Sequence, residues 1–383
     1  MSSIFAPLQR LFTSAQPVQP GIYHYQSPPD DPRNYRLHLR VEDDGSAILI
    51  VNAATVLHLN QTAAEYAYYF VQNRPVDVVA RLVSRRYNVE PAQAAQDYRN
   101  LTERILTLIE VPDLDPVTFL DFERDTPYAH KLTAPYRLDC ALTYRLPEGS
   151  DAETVPTKRV DRELTTEEWK SIIDKVWQVG VPHVIFTGGE PTLRDDLPAL
   201  IAHSESNGQV SGLLTDGMRL VEAAYLDELL QTGLDHVMIM IQPNKDLAWT
   251  ALEKVLAADI FTAVHLTLTQ QNASDLPGHL DRLAKMGCAA VSLTAQGTDL
   301  NAALLALRDR AATLQMALVW DLPVPYSAQN PVALEVAGEG LVEGGGRAWL
   351  YVEPDGDVLP TQGVNRILGN ILTDSWEKIW KQA

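Results

Sequence analysis

Cysteine is nearly absent: Cys140 and Cys288 are the two in 383 residues. Two are too few for a disulfide framework. Cations are also in the minority, with 31 lysines and arginines against 50 acidic residues and a formal net charge of -19. Such a chain repels phosphate backbones and anionic lipid, so neither nucleic acid nor a membrane surface is an expected partner. A neutral or basic partner is the expected kind. There is no secretory signal pattern and no long apolar run, which makes the cytoplasm the expected compartment. What the chain does have is 46% apolar residues, enough for one large core with one or two smaller attached units.

Residues 1–34 read as an N-terminal arm. Ile4, Phe5, Leu8, Leu11 and Phe12 have helical apolar spacing, and the proline-rich stretch from Gln16 to Tyr23 follows. That stripe is expected to pack as a short helix on its own protein. Residues 35–112 form the first domain. Tyr35, Leu37, Leu39 and Val41 alternate with polar residues, Glu42 to Ser46 turn the chain, and Ala47 to Val51 return as the second arm of a β-hairpin. Thr55 to Leu59 reads as a third strand. Thr62 with Glu65 fits a capping box that opens the first helix, and Pro75 and Pro91 sit at the starts of two more. The expectation is a winged α+β unit of three strands and three helices.

The phrase VLHLNQTAAEYAYYF, followed by VDVVARLVSRRYNVEPAQAAQDYRNLTERILTLI, resembles the PqqD-like peptide-recognition domain over about 75 residues. The resemblance implies that a precursor (leader) peptide adds a strand to the exposed sheet edge and packs against the last helix. Strand addition of this kind takes affinity from main-chain hydrogen bonds and specificity from alternate side-chain pockets. The implied edge is Thr55, Val56, Leu57 and His58. The plainer alternative is an accessory domain whose edge is covered by another part of the chain.

After a linker at 113–134, residues 135–325 alternate strand-like and helical patterns. The runs 138–143, 184–187, 212–215, 236–241, 262–269 and 289–294 read as six strands. The fold class is therefore α/β, a partial (β/α)6 TIM-like barrel with its chemistry expected at the carboxyl ends of the strands. The second strand end, VIFTGGEPTLRDDLPALI, closely resembles the radical S-adenosylmethionine (SAM) family, and LLTDGMRL and GLDHVMIMIQP extend the likeness. It implies a SAM site at Gly188, Gly189, Glu190 and Pro191, with glycines close to the methionine part and the carboxylate facing its ammonium.

Two departures follow. The family places a C-x3-C-x2-C set after a phrase like Leu142-Thr143-Tyr144-Arg145, and Leu146, Ser150 and Glu153 occupy those positions here. An iron–sulfur cluster needs thiolates at nearly all its protein-bound corners. In addition, Met240 and Gln242 stand where the family usually has a serine and an aspartate. A metal site from Asp151, Glu153 and a histidine is not expected, because loop carboxylates are ordinarily solvated. His183 and His236 flank strands and are read as lone structural histidines.

Residues 326–383 resemble the small SPASM-like C-terminal extension of peptide-modifying radical SAM enzymes, in which a cysteine follows the proline after the hairpin. Thr361 stands there. Trp320, Pro323, Pro325 and Tyr326 precede the extension and could line a peptide groove, although such a segment is more often a packed connector. The expected function is a cluster-less member of ribosomal peptide maturation, binding a precursor peptide or an active maturation enzyme. No cofactor is expected, SAM is possible, and no iron–sulfur cluster is expected. The alternatives are a non-radical enzyme using SAM or another small ligand at the barrel mouth, and a plain scaffold.

Overall fold

A computed structural model of the chain describes residues 18–28, 30–111, 132–148, 160, 162–296, 298–319, 344–364 and 366–383. The N-terminal apolar stripe, Ser150, Asp151, Glu153 and the segment from Trp320 to Tyr326 lie outside those residues. Contacts divide the chain into two units, Met1–Thr133 and Ala134–Ala383.

The first unit opens with an antiparallel sheet of four strands in sequence order: β1 (Gly21–Gln26), β2 (Arg36–Val41), β3 (Ala47–Val51) and β4 (Thr55–Leu59). Strand β1 corrects the three-strand expectation. Pro17 and Pro20 precede it rather than interrupt it, and its residues alternate as a strand requires. Tyr23 and Tyr25 pack towards the core of Leu37, Leu39, Leu49 and Leu57. Between them His24 faces His38 across the ladder, with their Nδ1 atoms 3.0 Å apart.

Three helices follow: α1 (Gln61–Val71), α2 (Val76–Tyr87) and α3 (Pro91–Glu110). The cap of α1 is Asn60, whose side chain accepts from the Ala63 N–H at 3.0 Å. Thr62 therefore lies inside the helix, and the Thr62/Glu65 capping box does not form. Glu65 is instead buried, and it holds Arg86 of α2 at 2.9 Å and the Tyr69 hydroxyl at 3.1 Å. An apolar residue would have marked that helix face as core; the charge concealed it.

The second unit is a ten-stranded, mostly parallel α/β sheet. Strands β5 (Arg137–Thr143), β6 (His183–Gly188), β7 (Val210–Thr215), β8 (His236–Met240), β9 (Phe261–Leu268), β10 (Ala290–Ala295) and β11 (Ala317–Leu318) lie in sequence order. On the other side of β5, β12 (Trp349–Val352) pairs in parallel, and β13 (Asp357–Leu359) and β14 (Gly369–Asn370) continue antiparallel. The connecting helices are α4 (Thr166–Gln178), α5 (Leu197–Asn207), α6 (Ala223–Gln231), α7 (Asp246–Leu256), α8 (Leu276–Lys285) and α9 (Asn301–Thr313), and α10 (Trp376–Gln382) ends the chain.

Alternation along each strand divides the apolar residues between two faces. Leu138, Val184, Leu213, Val237, Val264 and Val291 pack under the helices, and Ile185, Leu214, Met238, Met240, Ala263 and Ala290 cluster on the opposite face. Strands buried on both faces read as near-continuous apolar runs, which is why they were visible in the sequence. Among the described residues no helix is long and apolar enough to cross a membrane.

Candidate functional site

The carboxyl ends of β5 and β6 are tied together by main chain. The Gly189 N–H donates to Thr143 O at 2.7 Å and the Glu190 N–H to Arg145 O at 2.9 Å. At Gly188, φ is +124°, and a Cβ there would stand 2.2 Å from Thr143 O. One at Gly189 would stand 2.3 Å from Arg145 O. Both glycines are thus required by the chain's own backbone, whatever else approaches them.

Glu190 is buried, and its carboxylate is engaged within the protein. One oxygen accepts from the Thr192 N–H at 2.9 Å, from the Thr192 hydroxyl and from the Thr215 hydroxyl at 2.8 Å. The other accepts from the Asp216 N–H at 2.8 Å. Burial, followed by the charge of Asp216, pushes the Glu190 carboxyl up to about 7, and burial raises Asp216 as well. The acid expected to face a ligand's ammonium therefore joins the ends of β6 and β7. Pro191 begins a 3-10 turn through Leu193. Beyond it, buried Arg194 donates to Leu142 O at 3.2 Å and Leu164 O at 2.9 Å, pinning both sides of the first loop.

Leu146, half-buried at the start of that loop, packs with Val160 at its far end against Ala141, Tyr144, Tyr351 and Leu359. Inside this cluster the Tyr351 hydroxyl donates to the Tyr144 hydroxyl at 3.2 Å, which donates to Glu353 at 3.1 Å. Thr361 is fully buried, and its hydroxyl accepts from the Trp349 indole at 3.1 Å. The Arg137 guanidinium lies over the same indole, 5.1 Å from its centroid, and pairs with Asp139 at 2.7 Å. Both cysteines are buried: Cys140 lies within β5, and the Cys288 thiol, just ahead of β10, donates to Ala290 O at 3.2 Å. Burial pushes both thiols up, away from the thiolate a metal needs.

His183 and His236 are not lone histidines. Their Nε2 atoms meet at 2.8 Å across β7, where Gly212 leaves the space: a Cβ there would stand 2.2 Å from the His236 ring. Burial is the main reason that both are held below the usual histidine range, His236 at about 4. They sit at the amino ends of β6 and β8, away from the strand ends where chemistry was expected. A third histidine escaped the sequence reading. His265 in β9 meets the Ser292 hydroxyl at 3.0 Å through Nδ1, and those of Thr267 and Thr294 at 3.0 and 3.2 Å through Nε2. Burial lowers it to about 3. Its signal was the alternation of His265 and Thr267 inside an otherwise apolar strand. Met240 belongs to the apolar cluster of that sheet face, and Gln242 is half-buried beyond it.

In the first unit, Leu57 of β4 is in the core, and Thr55, Val56 and His58 are half-buried. Among the described residues β4 has one strand partner, β3. Among them also, Glu353, Asp355 and Asp357 are the one acidic group close enough to share a cation. They form the β12–β13 turn, where Glu353 holds Tyr144 and Asp357 accepts from Asn370 at 2.9 Å.

A family model for the radical SAM superfamily matches residues 140–265. The PqqA peptide cyclase of Streptomyces rochei is 31% identical over 278 residues, 64% of this chain and 76% of that protein. That of Granulibacter bethesdensis is 29% identical over 268 residues, 61% and 70% of the two chains. Crystal structures of Streptococcus suis SuiB, bound to its precursor peptide SuiA and to S-adenosylmethionine, superpose with TM-scores of 0.59 and 0.60. Each is 14% identical and aligns over 93% of this chain and 88% of that one.

Proposed function

We propose, for a chain that belongs to the radical SAM superfamily and is a relative of the PqqA peptide cyclases, a role in peptide maturation that uses peptide binding without an iron–sulfur cluster. One observation carries the reading. The positions that the resemblance assigns to cluster ligands, where they lie within the described residues, are engaged by the fold: half-buried Leu146 packs against the cluster of Tyr144 and Tyr351, and Thr361 holds the Trp349 indole. A cluster does not fit this donor set, because leucine offers no lone pair and both thiols are buried within the fold.

In this reading β1 belongs to the PqqD-like peptide-recognition domain, which runs on to residue 112, so the arm is confined to the residues before it; 113–134 are a linker, 135–325 a radical-SAM-like partial barrel and 326–383 a SPASM-like extension without a cluster. A leader peptide pairs with the outer edge of β4 at Thr55, Val56, Leu57 and His58, and an active maturation enzyme acts on the peptide held there. Gly188, Gly189, Glu190 and Pro191 persist as a vestigial SAM site because their own neighbours still require them.

Anaerobic reconstitution with iron and sulfide, followed by calorimetric titration with SAM, tests the reading together with binding of a fluorescein-labelled candidate precursor peptide. The expected outcome is no bound iron and saturable peptide binding that fails when Val56 and His58 are both changed to aspartate. Iron that co-purifies stoichiometrically would overturn it, as would peptide binding indifferent to β4.

A further inference from the structure

The outward face of α2 carries a feature that neither the core nor the β4 edge accounts for. Val79, Ala80 and Val83 anchor the helix inward. On the other side, Val78, Arg81, Leu82 and Arg85 recur at i, i+3, i+4 and i+7 and so share one stripe. Leu82 is 40% exposed and Val89, just past the helix, is 37% exposed. Neither Val78 nor Leu82 joins an apolar cluster of the fold. The Ser84 hydroxyl donates to Val89 O at 2.7 Å, tying the chain back to the helix after the left-handed turn at Asn88. Arg74 is exposed just ahead of the helix. Among the described residues Arg74 and Arg85 have no ion-pair partner, and Arg81 has only the exposed Asp77 at 3.1 Å, a pair that contributes little.

We propose that this face docks an acidic amphipathic helix of a partner protein. The occupant follows from charge and pattern. The exposed arginines beside exposed aliphatic residues complement a partner that sets carboxylates beside apolar side chains. Guanidinium groups bind carboxylates through paired N–H donors, and arginine is enriched among the residues that dominate interfaces. The i, i+3, i+4, i+7 spacing matches one face of a partner helix lying along α2. The net charge of -19 opposes any acidic partner at long range, so the contact relies on the local arginines; the exposed aliphatic side chains beside them favour a partner helix over nucleic acid, whose phosphate backbone offers no apolar face. The proposal does not depend on peptide binding at β4.

The test uses the full chain and a fluorescein-labelled, helix-forming peptide with leucine at i and i+4 flanked by glutamate, alongside a scrambled peptide of equal composition. The patterned probe should bind, with affinity falling as salt rises. The exposed double variant R81E/R85E should weaken it by about tenfold or more, L82N should weaken it too, and R99E on α3 should leave it within about twofold. Thermal melts of the variants should match the parent, since every altered side chain is solvent-facing. Absent binding, equal binding of the scrambled peptide, or equal loss in R99E would overturn the proposal. So would tighter binding of duplex DNA through the same arginines, or a dimer that R81E/R85E dissolves.

Discussion

The joined carboxyls of Glu190 and Asp216 should leave a signature in the pH dependence of stability. Glu190 is raised from an ordinary 4.5 to about 7, so between those values the folded chain holds a proton that the unfolded chain releases. Stability from this group therefore falls as pH rises through that window and is level above it. The span of about 2.5 units, at about 1.36 kcal/mol each, gives a loss of about 3 kcal/mol. Asp216 is also raised by burial and acts with the same sign. The buried His183, His236 and His265 act oppositely: they are held below 6.5, so their stability is present at neutral pH and is lost on acidification. A raw pH profile mixes the two trends, and comparison with Glu190→Gln separates them. Urea unfolding of both proteins across the window should show the parent losing about 3 kcal/mol relative to the variant as pH rises from 4.5 to 7. A constant offset between the two profiles would refute the buried, proton-holding carboxyl.

Two further substitutions probe the neighbouring strand ends. Gly188→Ala should cost about 3 kcal/mol or more, because the residue has φ of +124° and the new methyl would stand 2.2 Å from Thr143 O; an unchanged melting temperature would show that the backbone does not need this glycine. Thr361→Val should cost about 1 to 3 kcal/mol by leaving the buried Trp349 N–H without its acceptor. Near-neutral chemical denaturation of that variant would remove Thr361 from the set of residues that hold β12 and its turn.

How much could be read in advance differs by element. The six parallel strands were legible because both faces are buried, so each appears as a short apolar run bounded by turns. Gly188-Gly189-Glu190 was legible as a strand end, but its demand is set by Thr143 and Arg145, some 45 residues away, and no local pattern reveals a partner backbone. Strand β1 was hidden by the prolines before it and by pairing whose value depends on an already formed β2 edge. The His183–His236 pair was hidden because its signal is divided among three strands: two rings and the missing side chain of Gly212. Single residues looked unremarkable, and only register brings them together.

Under the proposed reading, ligand positions vacated at two places need not leave two defects. A vacated ligand position normally leaves either a cavity or an unpaired polar group, each of which costs stability. At the described positions the side chains present have neighbours that engage them. Leu146 and Val160, on either side of the first loop, pack with Tyr351 and Leu359 of the strands beyond β5 in one apolar cluster. Thr361 keeps a polar atom, but the Trp349 indole engages it. Restoring one cysteine at either position would remove packing or a hydrogen bond without completing a ligand set.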